Sequence, residues 1–550
     1  MLRALLLSAA FALLPSLCRA AAMPAAEAER FIADLEVLAE ALPSRHANLF
    51  HTTPRDTFEA EVATLRAALP SMSRGEALIG LARIVGLARD GHSALFLLPF
   101  PGMAPIDGIR QLPVQFFLFA DGLRIVAVER SQQRALGARV SAIGGVPVAE
   151  ALRRVGALVP RDNAMGEAEY GAWYLALPEV LDALGLARGG AYEFALDGVA
   201  EPLRLVPMAV PPDARWADRL ITLPGPRANW VGAGDAAATP RWLSRTAEPW
   251  WFEILPDGHV YAQINLMRER PDARFGDFVE RLLNAVPREG NSRLILDLRL
   301  NRGGDGDLRW PLVHGLIRHD AVNRPGRLFV LTGRRTFSAA QMLANALEQH
   351  TAAVFVGEPT GSSPNHYGEL GQLALPNTGL TVFYSMLYWQ HSPLDARVWI
   401  PPHVAVQPSY ADLAAGRDPV LQAALAFTPP PNVAELMREH LERGDAAGAI
   451  TAFRAVEARH RNPWRNLFER ELNTLGYELL DAKRANDAVA VLRVAAELYP
   501  DSYNAWDSLG EAWLAAGVRH RAAFCYARAV RLKPDYQWGK DALQRILETR

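Results

Sequence analysis

Strands and helices alternate between residues 246 and 428, and this alternation constrains the fold of the chain more than any other feature. Short apolar runs typical of buried strands occur at "RLILDLRL", "RLFVLTG" and "AAVFVGE". Between the second and third runs, "SAAQMLANALEQH" has the apolar spacing of a helix. A β, helix, β order predicts a mostly parallel sheet covered by helices. In such a sheet, reactive groups gather in the loops beyond the strand ends.

The length and charge of the chain limit what it can be. At 550 residues it is too long for one hydrophobic core, so we expect several domains. Half of the residues are apolar and the formal net charge is -2, which gives no sign of a nucleic-acid partner. The sequence therefore predicts a multidomain α/β protein.

The first 22 residues are typical of a secretory signal peptide. They begin with a cationic Arg3, continue with an apolar run and end in small residues that suit a signal peptidase. The run is too short for a spanning helix, and no other segment is long and apolar enough to be one. We therefore expect a periplasmic or secreted protein without a membrane span.

The remaining chain divides into segments of different character. Residues 23 to 104 have helical apolar spacing and form a predicted helical domain. Residues 105 to 165 are strand-like, with a hairpin predicted around Asp121 and Gly122. Residues 166 to 245 are rich in Pro, Gly and Trp and are interpreted as a connecting region.

Residues 430 to 550 contain an internal repeat. Gly476 aligns with Gly510 and Pro500 with Pro534, 34 residues apart in both pairs. This period, with a proline after the second helix, resembles the tetratricopeptide repeat. The resemblance implies a helical tail whose concave face binds a protein partner or a substrate segment.

The central segment resembles a known family. "LILDLRLNRGGDGD", "TFSAAQMLANAL" and "VGEPTG" follow one another as the motifs of tail-specific, carboxy-terminal-processing serine peptidases of the S41 class do. The resemblance implies a crotonase/ClpP-like α/β catalytic core over 246 to 428. It also implies a PDZ-like domain over 105 to 165, which would bind an extended peptide as an added strand.

The resemblance assigns the nucleophile to Ser338, at the point where a loop becomes a helix. A serine hydroxyl is nearly inert near neutral pH unless a base lies within hydrogen-bond reach. In many S41 members that base is a lysine, and the matching position here is Ser363. The first lysine of the chain is Lys483, so a serine-lysine dyad cannot form in the core.

A second branch of the family, the tricorn-type peptidases, uses a histidine in a D-x-H context. "RDGHSAL" matches that context at His92, which we predict to be the base. Free imidazole titrates near pH ~6.5, so activity should fall as the pH drops through ~6 to 7. His366 and His391 are the alternative bases.

The same branch supplies an acid that holds the histidine tautomer, and Asp395 is the candidate here. Backbone N–H groups must also be preset around the oxyanion of acyl transfer. Gly303 or Gly304, together with Ala339, match the family positions for this oxyanion hole. Glycine at such positions lets the backbone approach the substrate closely.

Each assignment has a structural alternative. A serine that opens a helix is most often an N-cap, and a histidine at a helix-strand junction is usually structural. Asp297 and Arg299 are interpreted as a structural ion pair rather than as catalytic groups. The sequence contains no HExxH motif or cysteine cluster, so we predict neither a metal site nor a cofactor.

The predicted function is that of an exported serine endopeptidase that cleaves peptides or unfolded protein tails. A catalytically inactive protein that binds peptides or another ligand on the same fold is one alternative. A serine hydrolase acting on small acyl substrates is another.

Overall fold

A computed structural model describes residues 21–98, 105–187, 190–210, 229–233, 239–393, 395–460 and 465–548. Most of the predicted signal peptide lies outside this part of the chain. The chain divides into two compact units, Met1–Ala426 and Phe427–Arg550. Among the described helices, none is long and apolar enough to cross a membrane.

The amino-terminal segment is helical, as its apolar spacing predicts. Its helices are α1 (Ala25–Arg45), α2 (Arg55–Ala68) and α3 (Arg74–Gly86). Helix α3 begins at a capping box, in which the Ser73 hydroxyl accepts the Glu76 N–H and the Glu76 carboxylate accepts the Ser73 N–H. Its apolar face packs into a core shared with the following strands.

The next segment consists of short strands, and the predicted hairpin is confirmed. The strands of this segment are β1 (Arg110–Gln111), β2 (Val114–Phe119), β3 (Gly122–Glu129), β4 (Val140–Ile143) and β5 (Val146–Pro147), and helix α4 (Val148–Val155) follows. Strand β2 runs antiparallel to β3 and the two meet at Phe119 and Gly122.

The predicted connecting region has regular structure of its own. It contains α5 (Ala164–Tyr174), α6 (Pro178–Ala183), β6 (Tyr192–Leu196), β7 (Leu203–Leu205), β8 (Met208–Ala209), β9 (Trp230–Gly232) and α7 (Arg241–Ser244). Strand β6 pairs with β4, and β9 pairs with β3. Sheets that begin before residue 165 are therefore completed by strands from beyond it.

A mostly parallel sheet of six strands forms the centre of the first unit, as predicted. Its strands are β10 (Trp250–Ile254), β11 (Val260–Ile264), β12 (Leu294–Asp297), β13 (Leu328–Thr332), β14 (Val354–Gly357) and β17 (Val404–Ala405). They lie in the order β10-β11-β12-β13-β14-β17, and only the β10-β11 pair is antiparallel. Strands β11 to β14 are buried along their whole length.

Helices and one long hairpin complete the first unit. The helices are α8 (Phe275–Ala285), α9 (Arg309–Ile317), α10 (Ala339–His350), α11 (Tyr410–Ala414) and α12 (Pro419–Ala426). The hairpin pairs β15 (Asn365–Ala374) with β16 (Thr381–Gln390). It is fastened to the amino-terminal segment, because the Asp34 carboxylate of α1 accepts hydrogen bonds from Asn377 and Thr378 at its turn.

The second unit is helical and keeps the 34-residue repeat in register. Its helices are α13 (Val433–Glu442), α14 (Ala446–His460), α15 (Arg465–Asp481), α16 (Ala485–Leu498), α17 (Tyr503–Ala515), α18 (Arg519–Leu532) and α19 (Gln537–Glu548). Gly476 and Gly510 occupy equivalent places in α15 and α17. A side chain at Gly476 would meet Leu492 of α16, and one at Gly510 would meet Cys525 and Tyr526 of α18. Glycine therefore allows each helix pair to pack closely.

Candidate active site

Ser338 lies in the loop that joins β13 to α10, and its backbone is strained. Its φ and ψ are 57° and -122°, in a region that favours glycine, and a non-glycine residue there costs about 1–3 kcal/mol. Hydrogen bonds hold the turn in this conformation. The Phe337 N–H donates to the Asn301 carbonyl at 3.0 Å, and the Ser338 N–H donates to the Ser362 hydroxyl at 3.1 Å.

The Ser338 side chain does not cap the helix that it precedes, because its hydroxyl accepts no hydrogen bond from the first turn of α10. Its Oγ lies 3.0 Å from Nε2 of His92 instead. The N-cap interpretation is therefore wrong for this serine. The arrangement is that of a nucleophile within hydrogen-bond reach of a base.

The fold brings His92 to this place through the segment that follows α3. Ala94, two residues further on, forms an isolated antiparallel bridge with Phe383 of β16, with N–O distances of 3.0 and 2.9 Å. The His92 ring is buried, with its centroid 4.6 Å from that of Phe337 and 6.0 Å from that of His366. The ring is thus enclosed by the serine loop and the β15-β16 hairpin.

The electrostatic surroundings of His92 favour its neutral form. Burial lowers the pKa of His92 below its ordinary value of 6.5, while the negative charge of Asp90 and the backbone of Tyr367 act in the opposite direction. No described group makes a well-formed hydrogen bond to Nδ1. At neutral pH the ring is a neutral imidazole that can accept a proton at Nε2.

Asp90 is the acidic residue most closely tied to the base. Its Oδ1 accepts the N–H groups of His92 and Ser93 at 2.9 and 2.8 Å and the Ser385 hydroxyl at 2.7 Å. Its Oδ2 lies 2.8 Å from Nε2 of His46. Burial alone would raise the pKa of Asp90, but these hydrogen bonds outweigh it and lower the pKa to about 2. Asp90 is therefore a permanent negative charge beside His92.

Asp395, the acid predicted from the family pattern, is not joined to His92. Its two carboxylate oxygens accept hydrogen bonds from Arg397, at 2.7 to 3.1 Å, and Arg397 also pairs with Glu348 at 2.6 to 2.8 Å. Because Arg397 is only two residues away, this local ion pair forms in place of a contact with the distant histidine. The acid that the structure ties to His92 is Asp90, which sequence reasoning missed although it belongs to the same "RDGH" motif.

The alternative histidines are placed differently. Among the described histidines, only His92 hydrogen-bonds the Ser338 hydroxyl. Nδ1 of His366 contacts the Ser363 carbonyl at 3.0 Å, and burial together with the nearby His92 lowers the pKa of His366 to about 3. The His391 ring stacks on Trp389 at 5.7 Å, and burial lowers its pKa.

Two of the predicted oxyanion-hole residues, Gly303 and Ala339, lie beside Ser338. A Cβ built on Gly303 would lie 2.7 Å from the Ser338 Cβ and 2.9 Å from the Ala339 nitrogen. Gly303 and Gly304 have φ angles of 107° and 121°, which L side chains rarely adopt. The geometry therefore requires glycine beside the serine.

The backbone donors at this place are not equivalent. The Gly303 N–H already donates to the side-chain oxygen of Asn301 at 3.0 Å. The Gly304 and Ala339 N–H groups donate to no acceptor among the described residues. The Ala339 N–H is also one of the unsatisfied donors at a helix amino terminus. Of the predicted candidates, Gly304 and Ala339 are the two donors available to an oxyanion.

The interpretation of Asp297 and Arg299 as a structural ion pair is confirmed. The Arg299 guanidinium pairs with Asp297 at 2.5 Å and with Asp418 at 2.7 Å, and all three side chains are buried. Tyr261 of β11 also donates to Asp297, at 2.6 Å. This network anchors the end of β12, from which the loop carrying Gly303 and Gly304 begins.

Ser363, the position that matches the lysine of many S41 peptidases, is also hydrogen-bonded. The Ser363 hydroxyl donates to the Val398 carbonyl at 3.0 Å, and the neighbouring Ser362 accepts the Ser338 N–H. The Ser362 hydroxyl therefore holds the backbone of Ser338, while the Ser363 hydroxyl is engaged by Val398. Sequence reasoning named Ser363 but missed the contact made by Ser362.

Comparison with known proteins finds similarity only among solved structures. No family model matches the chain. No curated protein matches it either. Mature CPAF in complex with lactacystin is 14% identical, with 70% of this chain and 95% of that chain covered and a TM-score of 0.46. The photosystem II D1 C-terminal processing protease is 14% identical, with 71% and 98% covered and a TM-score of 0.31. A Bacteroides fragilis protein provisionally assigned as an S41 protease is 13% identical, with 71% and 95% covered and a TM-score of 0.28.

These neighbours include the class that the central motifs resemble.

Proposed function

We propose that the chain is a serine peptidase in which Ser338 is the nucleophile and His92 is the general base. The observation that carries the proposal is the 3.0 Å separation of His92 Nε2 and Ser338 Oγ. It is supported by the strained backbone of Ser338 and by a glycine loop packed against it. The lysine base of many S41 peptidases has no counterpart here, since the matching position is Ser363.

Acylation follows from this arrangement. His92 Nε2 takes the proton from Ser338 Oγ as Oγ bonds to the carbonyl carbon of the scissile peptide, and the C=O π electrons move to oxygen. The oxyanion accepts hydrogen bonds from the Gly304 and Ala339 N–H groups. When the tetrahedral intermediate collapses, the C–N bond breaks and the proton on His92 passes to the leaving amine. Water then attacks the acyl-enzyme in the same way and regenerates Ser338.

In this mechanism Asp90 supplies the negative charge that the aspartate of a Ser-His-Asp triad supplies. Its charge stabilises the imidazolium that forms during the reaction, and its Oδ1 holds the His92 backbone N–H rather than the ring. In the reactive tautomer the proton of the neutral ring is on Nδ1, because Nε2 must be free to accept from the serine. Asp395 has no part in this proposal, since its carboxylate is held by Arg397.

Labelling with a fluorophosphonate tests the nucleophile directly. The mature protein should become covalently labelled and should hydrolyse a mixture of unstructured peptides, and Ser338→Ala should do neither. Labelling without peptide hydrolysis, together with turnover of small esters, would favour the hydrolase of small acyl substrates. Absence of both labelling and hydrolysis would favour an inactive binding protein.

The proposal includes export and a partner for the tail. Export is supported by the signal-like start of the chain, and amino-terminal sequencing of exported protein should find a first residue between about 20 and 24. Recovery of the intact Met1 terminus would contradict it. The repeat in α15 to α18 supports a tail that binds a protein segment in its concave face. An isolated tail that captures no substrate or cellular protein would oppose that role.

A further inference from the structure

Asp162 lies between the two loops that carry the proposed dyad, in the short segment before α5. Its Oδ1 accepts the N–H of Gly91, the residue before His92, at 2.7 Å. The neighbouring Arg161 N–H donates to the Asp90 carbonyl at 3.1 Å. Two hydrogen bonds therefore join this segment to the loop that carries His92.

The same segment also reaches the loop that supports the nucleophile. The Asn163 amide donates to the carbonyls of Thr360 and Val398 at 3.1 and 2.6 Å. The Ser362 hydroxyl, which accepts the Ser338 N–H, also favours the ionised form of Asp162, whose Oδ2 is buried without a hydrogen-bond partner among the described residues. A hydroxyl can accept one hydrogen bond and donate another, so Ser362 can connect the serine backbone to this carboxyl.

We propose that Asp162 is a positioning residue that holds the His92 loop and the Ser338 backbone in register through Gly91 and Ser362. Close packing leaves these loops little freedom to adjust. A Cβ at Gly91 would lie 2.4 Å from the Phe337 ring and 3.2 Å from Asp162 Oδ1. The inference rests on the proposed function, because it concerns the reactivity of that dyad.

The surroundings of Asp162 give this role a measurable signature. Burial, and then the negative charge of Asp90, raise the pKa of Asp162 to about 7, while the Gly91 N–H acts in the opposite direction. The charged group that faces Asp162 is Asp90, and the titratable His92 lies on the same loop as Asp90. The positive charge of the adjacent Arg161 is paired with Glu167 at 2.7 Å. The two carboxyl groups therefore titrate far apart, with Asp90 ionised and Asp162 changing charge near neutral pH.

The direction of the effect follows from hydrogen-bond capacity. Above pH about 7 the ionised Asp162 can accept from both Gly91 and Ser362, so both loops are held. Below that pH a protonated oxygen is lost as an acceptor. We expect kcat/KM to show a rise near neutral pH that is separate from the ionisation of His92.

The test compares Asp162→Asn, Asp162→Ala and Ser362→Ala with the parent full-length protein. Asp162→Ala should lower kcat on the order of 10²-fold with little change in KM, because small displacements of catalytic groups have effects of that size. Asp162→Asn keeps an acceptor for the Gly91 N–H, so it should lose less, about 3- to 10-fold, but should lack the rise near neutral pH. Ser362→Ala should lower kcat by about 10-fold.

Asp34→Asn is the matched control. It removes a buried carboxylate that accepts several hydrogen bonds in the same unit without contact to the dyad. It should lower Tm while leaving the pH profile of the folded protein as in the parent.

The proposal is overturned if Asp162→Asn keeps the rise near neutral pH, or if the loss in Asp162→Ala is accounted for by unfolded protein. Both outcomes require an active parent. A parent that neither hydrolyses peptides nor reacts with a fluorophosphonate overturns the proposed function and this inference with it.

Discussion

His92 Nε2 and Ser338 Oγ lie 3.0 Å apart although the two residues are separated by 246 positions in the chain. One belongs to the loop after an amino-terminal helix and the other to the turn before a helix of the central sheet. The bridge between Ala94 and Phe383 fastens the His92 segment to strand β16 of the same unit.

Removal of either member of the dyad should abolish turnover. We expect Ser338→Ala, His92→Ala and the double variant each to lose about 10⁴-fold or more in kcat, because groups that act as a unit are not additive. Initial rates on a fluorogenic peptide measure the effect, with His391→Ala as the control histidine. Near-parental activity of His92→Ala together with loss in His391→Ala would show that the base is misassigned.

The acid limb of the activity profile should lie below the ordinary titration range of histidine. Burial lowers the pKa of His92 from 6.5, so the neutral base persists to lower pH and activity disappears only as the pH falls through the lowered value. The predicted limb lies below the pH of ~6 to 7 expected from free imidazole. The pH dependence of kcat/KM is measured most simply in Asp162→Asn, where the second ionisation is removed. A limb centred above 6.5 in that variant would contradict the prediction.

Asp90 and Asp395 should respond differently to the same substitution. Asp90→Asn removes the negative charge beside His92 and should lower kcat roughly 10- to 100-fold and also lower Tm, because a buried network is broken. Asp395→Asn removes only an ion pair with Arg397 and should stay within about 3-fold of the parent. Activities are compared at equal concentrations of folded protein. A larger loss in Asp395→Asn would restore the acid assigned by the family pattern.

Gly303→Ala tests the packing of the glycine loop. The new Cβ would lie 2.7 Å from the Ser338 Cβ, so the serine or the loop must move, and we expect a loss of about 10²- to 10³-fold in kcat. Gly290→Ala is the matched control, since Gly290 also has a positive φ, 82°, but no atom lies within 4 Å of its new Cβ. Equal losses in both variants would assign the effect to backbone strain alone.

The second unit should be dispensable for hydrolysis of short peptides. A protein truncated after Ala426 retains the whole first unit, including the proposed dyad. We expect kcat on a short peptide within about 3-fold of the full chain, because no residue of the proposed chemistry lies beyond that point. Circular dichroism checks that the truncated protein is folded. Loss of folding or of fluorophosphonate labelling would show that the tail is integral to the first unit.

Local sequence patterns determined much of the architecture. Apolar runs of strand length and helical spacing predict the central parallel sheet, α10 and the amino-terminal helices. They do so because the spacing of apolar residues along the chain sets which of them share one face of a helix or fill a buried strand. The β2-β3 hairpin follows from Asp121 and Gly122, and the tail follows from its repeat. The strands of residues 166 to 245 were missed, because they are short and their partners lie in a distant segment.

The candidate site shows the same division. The sequence alone, through its motifs and its lack of lysine before Lys483, was sufficient to name Ser338 and His92 as a possible pair. Only the tertiary structure decided that the serine faces His92 rather than capping its helix, that Arg397 holds Asp395, and that Asp90 and Asp162 accept the backbone N–H groups of His92 and Gly91. Such choices depend on distances and burial between segments far apart in the chain, since charge interactions and hydrogen bonds act through space and not along the sequence.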